Sequence, residues 1–430
     1  MKYCKRDFQI DGGKPIKMNT TRKHIRISVG EFRIDRAERN AINKVLDSGR
    51  ISEGETVRKF EEEWAKYIGT TYAIALNSGT SALIAGLTAL KYNRKGQKIR
   101  KNTKIITTPI TYIATSNAIV LSGFEPVYVD VDKVTFCITP ENIREHLENV
   151  DNPEEYFLIL PVHLMGYPCD MDEINRIAKE YGLLVFEDSA QAHGSLYKGK
   201  KVGSLSLLSD FSFYIAHNIQ VGEMGTVTTN DYEITRVIKK IKANGRMCDC
   251  PICTRNTTGC PKMRWSENDF DPRFTHDIIG YNFKTMEFQV ALGLTQLKKI
   301  DWIIERRREN VKYLNEGLEE FSSVIQLPKY DENVSYMAYP IVIKNSKKTG
   351  RKKMRMELEE RGIETRPLFG CIPTQQPAYS YLKDKYERML PVAEFVGSNG
   401  FYIGCHQYLT QKDLDYVVKA FGAVHDELLG

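Results

Sequence analysis

The chain has 430 residues, of which 42% are hydrophobic and 27% charged, with a net charge of +6. That is ample for two or three domains and a sizeable core, and the composition excludes a disordered or fibrous chain. The basic runs at 91–104 and 344–355 have no aromatic-rich motif beside them, so they read as solvated loops or helix faces, and no nucleic-acid partner is expected.

No apolar stretch approaches the ~20 residues needed to span a bilayer. The N-terminus, MKYCKRDFQIDGGKPIK, lacks the hydrophobic centre of a signal peptide. A cytoplasmic protein with no membrane partner is expected, its nine cysteines mostly reduced.

Residues 1–25 are polar and irregular and read as an N-terminal extension. From about 30 to 68 the pattern gives two helices split by a Gly/Ser-rich turn, with apolar residues at helical spacing in VRKFEEEWAKYI. Strands and helices then alternate. TYAIAL, TKIITTP, EPVYVDVD, YFLILPVHLMG, LLVFEDSA, SDFSFYIA and MGTVTTN read as strands; SGTSALIAGLTAL, YIATSNAIVLSG, NIREHLENV and MDEINRIAKEYG read as helices. This predicts an α/β fold with a mostly parallel sheet in a large domain, 26–299. Ligands bind beyond the carboxyl ends of such strands, where Ser78, Tyr112, Asp188 and His217 fall. The segment 246–281 breaks the alternation and holds a cysteine cluster. One long helix, TMEFQVALGLTQLKKIDWIIERRRENVKYLNEGLEE, with room for a kink, then leads into a smaller α/β C-terminal domain, 300–430. That domain has strand candidates YMAYPIVI and GFYIGC and helices RMELEERG and QKDLDYVVKAFGAVHDEL.

Two motifs suggest a pocket. LNSGTSAL (76–83) sets small residues between a strand and a helix, a site suited to phosphate, although a plain helix cap uses the same residues. FEDSAQAHGS places Asp188 at the end of an apolar strand, where a carboxylate is costly unless paired. A protonated ring nitrogen is one suitable partner.

The order NSGTSAL, TPITYIATSNAIVLSGFEPVYVDVD, PVHLMGYPCDMDEI, FEDSAQAHGS, FSFYIAHN, GEMGTVTTND, IGYNFKTMEFQVALGLTQL and RGIETRPLF resembles the DegT/DnrJ/EryC1/StrS family over about residues 30–425. These are fold-type I pyridoxal phosphate enzymes that modify nucleotide-linked keto-sugars. The resemblance implies that Gly79, Thr80 and Ser212 bind the cofactor phosphate and that Tyr112 stacks on the pyridine ring. It implies that Asp188 pairs with the ring nitrogen and that Gln191 lies beside the ring. Asn282 is expected to reach the phosphate in the neighbouring subunit's site, which makes a homodimer the working unit.

One residue departs from the aminotransferase pattern. Their pocket strand reads like SFYPTKN, with a lysine that forms a Schiff base to the cofactor; here the position holds His217. Imidazole cannot make that bond, but it can move a proton. The cofactor is then held non-covalently, most simply as pyridoxamine phosphate (PMP). The expected chemistry becomes loss of the C3 hydroxyl next to a C4 ketone. AHNIQVGEMG is similar to the lysine-less 4-keto-6-deoxysugar 3-dehydratase branch of the family. A non-catalytic cofactor-binding paralogue with a regulatory role is the alternative.

Cys248, Cys250, Cys253 and Cys260 are spaced C-x-C-x2-C-x6-C, a metal-site signal that suits zinc or an iron–sulfur cluster. The CDP-4-keto-6-deoxyglucose 3-dehydratases carry a 2Fe–2S cluster in a cysteine-rich loop after the pocket histidine, fed by a partner reductase. The GDP-4-keto-6-deoxymannose type lacks that loop and regenerates its cofactor with glutamate. The loop here implies the first type. One ligand of that type comes from the strand-end motif where this chain has Ala190, so Cys253 is the candidate fourth ligand. A glutamate-coupled enzyme with structural zinc in the loop remains open. Arg366, in ETRPLF, and His406 are candidate substrate contacts.

Overall fold

The computed structural model describes residues 25–92, 103–250, 258–260, 263, 271–344 and 350–429. Two amphipathic helices come first, α1 (Arg36–Asp47) and α2 (Glu55–Ile68). Asp35 and Glu38 form a capping box at the start of α1. Gly69, in the left-handed region at φ 92°, ends α2.

A seven-stranded sheet follows, built from β1 (Tyr72–Leu76), β2 (Lys104–Thr107), β3 (Glu125–Tyr128), β4 (Tyr156–Leu160) and β5 (Leu184–Asp188). A short hairpin of β6 (Leu196–Tyr197) and β7 (Lys200–Lys201) precedes its last two strands, β8 (Leu208–Ser212) and β9 (Gly225–Thr229). The strand order is β1-β9-β8-β5-β4-β2-β3. Only β9 runs against its neighbours, β1 and β8. The sheet is therefore mostly parallel, as the alternation of elements implies. Strand β4, YFLIL, reads as a continuous apolar run because both its faces are covered.

The helices of the crossovers are α3 (Gly79–Tyr92), α4 (Ala114–Leu121), α5 (Pro140–Glu148) and α6 (Met171–Tyr181). Helix α3 is apolar nearly all round and buried along most of its length, as befits a helix inside the core. Strand β4 stops at Leu160 because Pro161 has no N–H to continue the ladder. The sequence pattern extends that strand through His163–Gly166, but a 3-10 turn replaces it, with Met165 at φ 56°.

Helix α7 (Tyr232–Ile241), capped by Asp231, closes this half of the chain. The single long helix expected after it is two: α8 (Glu287–Leu297) and α9 (Ile300–Leu318). Lys299 leaves helical geometry at φ −103°, ψ 0°, and its ammonium reaches the buried Glu38 carboxylate at 2.8 Å. The break pins this turn against α1.

A second, antiparallel sheet of β10 (Ile325–Gln326), β11 (Tyr339–Ile343), β12 (Arg366–Pro367) and β13 (Gly400–Ile403) has the order β10-β11-β13-β12. Helix α10 (Arg351–Glu360) packs on β13, and the C-terminal helix Gln411–Leu429 packs on α10 and α9. Among the described residues, no helix is long and apolar enough to cross a membrane.

Candidate active site

Strands β5 and β8 lie side by side, and their carboxyl ends open into a cavity of about 640 Å³. The N-terminus of α3 borders it, and Arg366, Phe369 and Tyr402 approach from the second sheet.

The α3 end is suited to an anion. Ser78 Oγ accepts a hydrogen bond from the Ser81 amide at 3.1 Å and so caps the helix. The first-turn amides at Gly79 and Thr80 have no carbonyl one turn earlier to bond. Ser212 approaches from β8. A Cβ on Gly79 would sit 2.6 Å from Ser212 Cβ, so only glycine allows the two to meet at this distance.

Asp188 is buried at the end of β5. It accepts a 2.7 Å hydrogen bond from Thr115 Oγ1 and a 3.2 Å bond from the Ala190 amide. Burial pushes its carboxyl above the usual range, while those two donors and His163 oppose the rise. A cationic partner in the cavity would relieve that cost. Gln191, also buried, accepts from the Met165 amide at 2.9 Å, which fixes its side chain.

After Ser212 the chain leaves the sheet. The His217 amide bonds to the Tyr214 carbonyl at 2.9 Å, and this turn folds the imidazole back against β8. His217 Nδ1 lies 2.7 Å from the Ser212 carbonyl. A carbonyl only accepts, so in neutral His217 the proton is on Nδ1, and Nε2 keeps its lone pair. Burial pushes the imidazole pKa down to about 4, opposed by the Ser212 hydrogen bond and assisted by the Arg307 guanidinium. At neutral pH His217 is therefore an unprotonated base that lines the cavity.

The cavity thus brings together Gly79, Thr80, Tyr112, Asp188, Gln191, Ser212 and His217. Tyr112 sits at its mouth, 62% exposed, with its ring 6.3 Å from Phe369. Asn282 is not among them. It is exposed, forms a β-bridge with Ala243 and does not line the cavity of its own chain. Arg366 does line the cavity, paired with Glu364 at 2.9 Å. His406 does not. It is buried near Ser28 Oγ, and burial pushes its pKa down to about 3.

Sequence reasoning missed Thr115, Asp210 and Tyr214. Thr115 lies three residues past Tyr112 and could be sought as the hydroxyl one helical turn along. Asp210 became visible only with the register that sets it opposite Asp188.

Cys248, Cys250 and Cys260 are half-buried, and none lines the cavity; Cys253 lies outside the described residues. Among the described residues no group of three or more His, Cys, Asp or Glu side chains is arranged to hold a metal. The segment's stem is closed by hydrogen bonds from the Met247 amide to Thr275 and from the Cys248 amide to Pro272.

Residues 33–422 match the sequence profile of the DegT/DnrJ/EryC1/StrS aminotransferase family. The chain belongs to this family. Among its relatives, the dTDP-4-dehydro-2,6-dideoxy-D-glucose 3-dehydratase of Saccharopolyspora spinosa is 33% identical over 396 residues, 90% of this chain and 84% of that one. The GDP-perosamine synthase of Escherichia coli O157:H7 is 31% identical over 391 residues, 91% of this chain and 96% of that one. The structure of E. coli GDP-4-keto-6-deoxy-D-mannose-3-dehydratase with bound hydrated PLP matches with a TM-score of 0.81 at 28% identity, covering 92% of this chain and 99% of that one. The fold is that of the family's fold-type I enzymes, and both the family and this neighbour support pyridoxal phosphate as the cofactor. The residues present fit such a group. They offer a helix-terminus anion seat beside Ser212, a buried carboxylate in need of a cation, and enough volume between them.

Proposed function

We propose that this DegT/DnrJ/EryC1/StrS member is a PMP-dependent dehydratase that removes the C3 hydroxyl of a nucleotide-linked 4-keto-6-deoxysugar. The observation that carries the reading is His217, held by the Ser212 carbonyl so that Nε2 remains a free base on the cavity. Overall similarity does not choose the reaction, because a dehydratase and an amino-transferring perosamine synthase match almost equally well. Residue 217 favours dehydration: it lacks the primary amine that covalent attachment of the cofactor needs.

When bound, the cofactor supplies an electron sink conjugated to the carbon that bears its amine. The chain supplies the rest. Gly79, Thr80 and Ser212 hold the phosphate, Tyr112 covers the ring, and Asp188, steadied by Thr115, keeps the ring nitrogen protonated. Gln191 flanks the ring. His217 Nε2 takes a proton at the reacting carbon and returns it to the departing C3 hydroxyl, which leaves as water. Arg366, on the sugar side of the cavity, is suited to the negatively charged diphosphate of a nucleotide sugar.

Replacing the C3 hydroxyl by hydrogen also consumes two electrons. In this proposal a partner reductase delivers them through a 2Fe–2S cluster on Cys248, Cys250, Cys253 and Cys260. The spacing of the four thiols and the closed stem at Met247–Thr275 support that assignment, with zinc as the competing occupant. The working unit is a homodimer in which the exposed Asn282 reaches the partner's phosphate seat. Anaerobic purification followed by metal analysis and a visible spectrum tests the cluster. Iron with absorption bleached by dithionite supports it, and zinc without iron refutes it.

A further inference from the structure

Asp210 is fully buried and lines the cavity, yet among the described residues neither carboxyl oxygen has a hydrogen-bond partner outside Asp210 itself. In the parallel register of β5 and β8 it stands directly opposite Asp188, so both side chains leave the sheet on the same face. Asp188 has Thr115 and the Ala190 amide to steady it; Asp210 has neither. Among the described residues no basic side chain pairs with Asp210: of the basic groups on the same cavity, Arg366 is paired with Glu364 and His217 is neutral. Helix α3 carries its one charge, Lys91, at its far end, and neither α4 nor β9 carries any charge. Among the described residues, Asp188 is the ionisable neighbour whose charge acts on it. Two carboxylates cannot both ionise this close together in a buried site without a large cost.

We propose that Asp210 is a second acid of the cofactor seat, forming with Asp188 a dyad that carries one proton and one negative charge at neutral pH. Asp188 holds the charge, because its two donors stabilise the carboxylate. Asp210 keeps the proton and presents a neutral hydroxyl to the cavity. Burial first, and then the Asp188 charge, push the Asp210 carboxyl well above its ordinary range, opposed by its own backbone amide. The arrangement matches one pyridinium with one carboxylate and keeps a second negative charge away from the phosphate end, two residues along the same strand at Ser212. This inference rests on the cavity being the cofactor seat, and not on the dehydration reaction.

The test is a titration of the full chain with pyridoxal 5′-phosphate across the pH range, for wild type and Asp210→Asn. The amide copies a protonated carboxyl in size and cannot ionise. Binding by the variant at about pH 7 is expected within about twofold of wild type. Towards about pH 9 wild type should lose about tenfold in affinity relative to the variant, as its second charge develops. Melting of the cofactor-free chain gives a second readout. A carboxyl whose folded pKa is raised stabilises the fold at low pH and loses that contribution as pH rises. The variant should therefore melt above wild type at about pH 8, and the gap should close towards about pH 4. Asp210→Ser makes the same pH predictions should the amide not fold. Loss of tenfold or more by Asp210→Asn at neutral pH would show that Asp210 binds as an anion and would overturn the proposal. So would an alkaline fall identical in the two proteins. Wild type that binds no pyridoxal phosphate at any pH would overturn the cofactor seat itself, and the dyad with it.

Discussion

Alanine at Gly79 perturbs the contact on which the proposed phosphate seat depends. The added Cβ would lie 2.6 Å from Ser212 Cβ and 2.9 Å from Ser212 Oγ, where relaxed carbon contacts are about 3.5–4.0 Å. Either α3 or β8 must then give way by about 1 Å. Overpacking of this kind costs about 1–3 kcal/mol, and alanine's helix propensity returns at most about 1 kcal/mol. A net loss of about 1–2 kcal/mol is expected, seen as a drop of a few degrees in melting temperature. Binding should suffer more than stability, because the Ser212 carbonyl also holds His217 Nδ1 at 2.7 Å. Moving Ser212 shifts the proposed phosphate seat and the proposed base together, and pyridoxal phosphate affinity is expected to fall about tenfold or more, or about 1.4 kcal/mol. Adding Ser212→Gly removes both clashing atoms and leaves Ser212 Cα at 3.3 Å. The double variant should regain the melting temperature but, lacking the hydroxyl, only part of the affinity. Thermal melts and fluorescence titration on the two single variants and the double one measure the coupling. A Gly79→Ala protein that melts and binds like wild type would refute the reasoning. So would a second substitution that adds to the loss in stability.

Thr115→Val keeps the shape but deletes the 2.7 Å donor to Asp188. It should weaken pyridoxal phosphate binding by about 1.5–3 kcal/mol and move its onset to higher pH, as followed by titration. His217 has a folded pKa of about 4, below the ordinary 6.5. The stability from its neutral form is therefore complete above about pH 6.5 and is lost as pH falls towards 4, by at most about 3 kcal/mol. Urea midpoints at about pH 7 and about pH 5 should converge less for wild type than for His217→Gln, which isolates this term from those of other buried histidines. Arg366→Ala should raise KM for a nucleotide sugar about tenfold or more with little change in pyridoxal phosphate affinity, which steady-state kinetics and titration separate.

The residues that line the candidate site were largely legible in the sequence. Strand β5 is an apolar run that ends in Asp188, and the small residues before α3 announce a close approach. The histidine at 217 was equally plain, but not its tautomer, which depends on a turn that brings Ser212 and His217 together. Asp210 was hidden because register between β5 and β8 is set by packing and not by any local pattern. Room for a kink in the long helix was legible, but its place at Lys299 was hidden for a related reason. Apolar residues recur at helical spacing on both sides of it, and only the distant Glu38 reveals what holds the turn. Strand β12, two residues long, is too short for any period to show, yet it carries Arg366 to the cavity.

The account turns on what His217 does to a sugar. The most direct measurement is mass spectrometry of nucleotide-linked 4-keto-6-deoxysugars incubated with the PMP-loaded protein and a competent reductant, for wild type and His217→Asn. The account predicts a wild-type product that has lost one oxygen atom at C3, and none from the variant, which still binds the cofactor. A wild-type product that instead exchanges its C4 oxygen for an amino group, or a His217→Asn protein that deoxygenates at the wild-type rate, would contradict it.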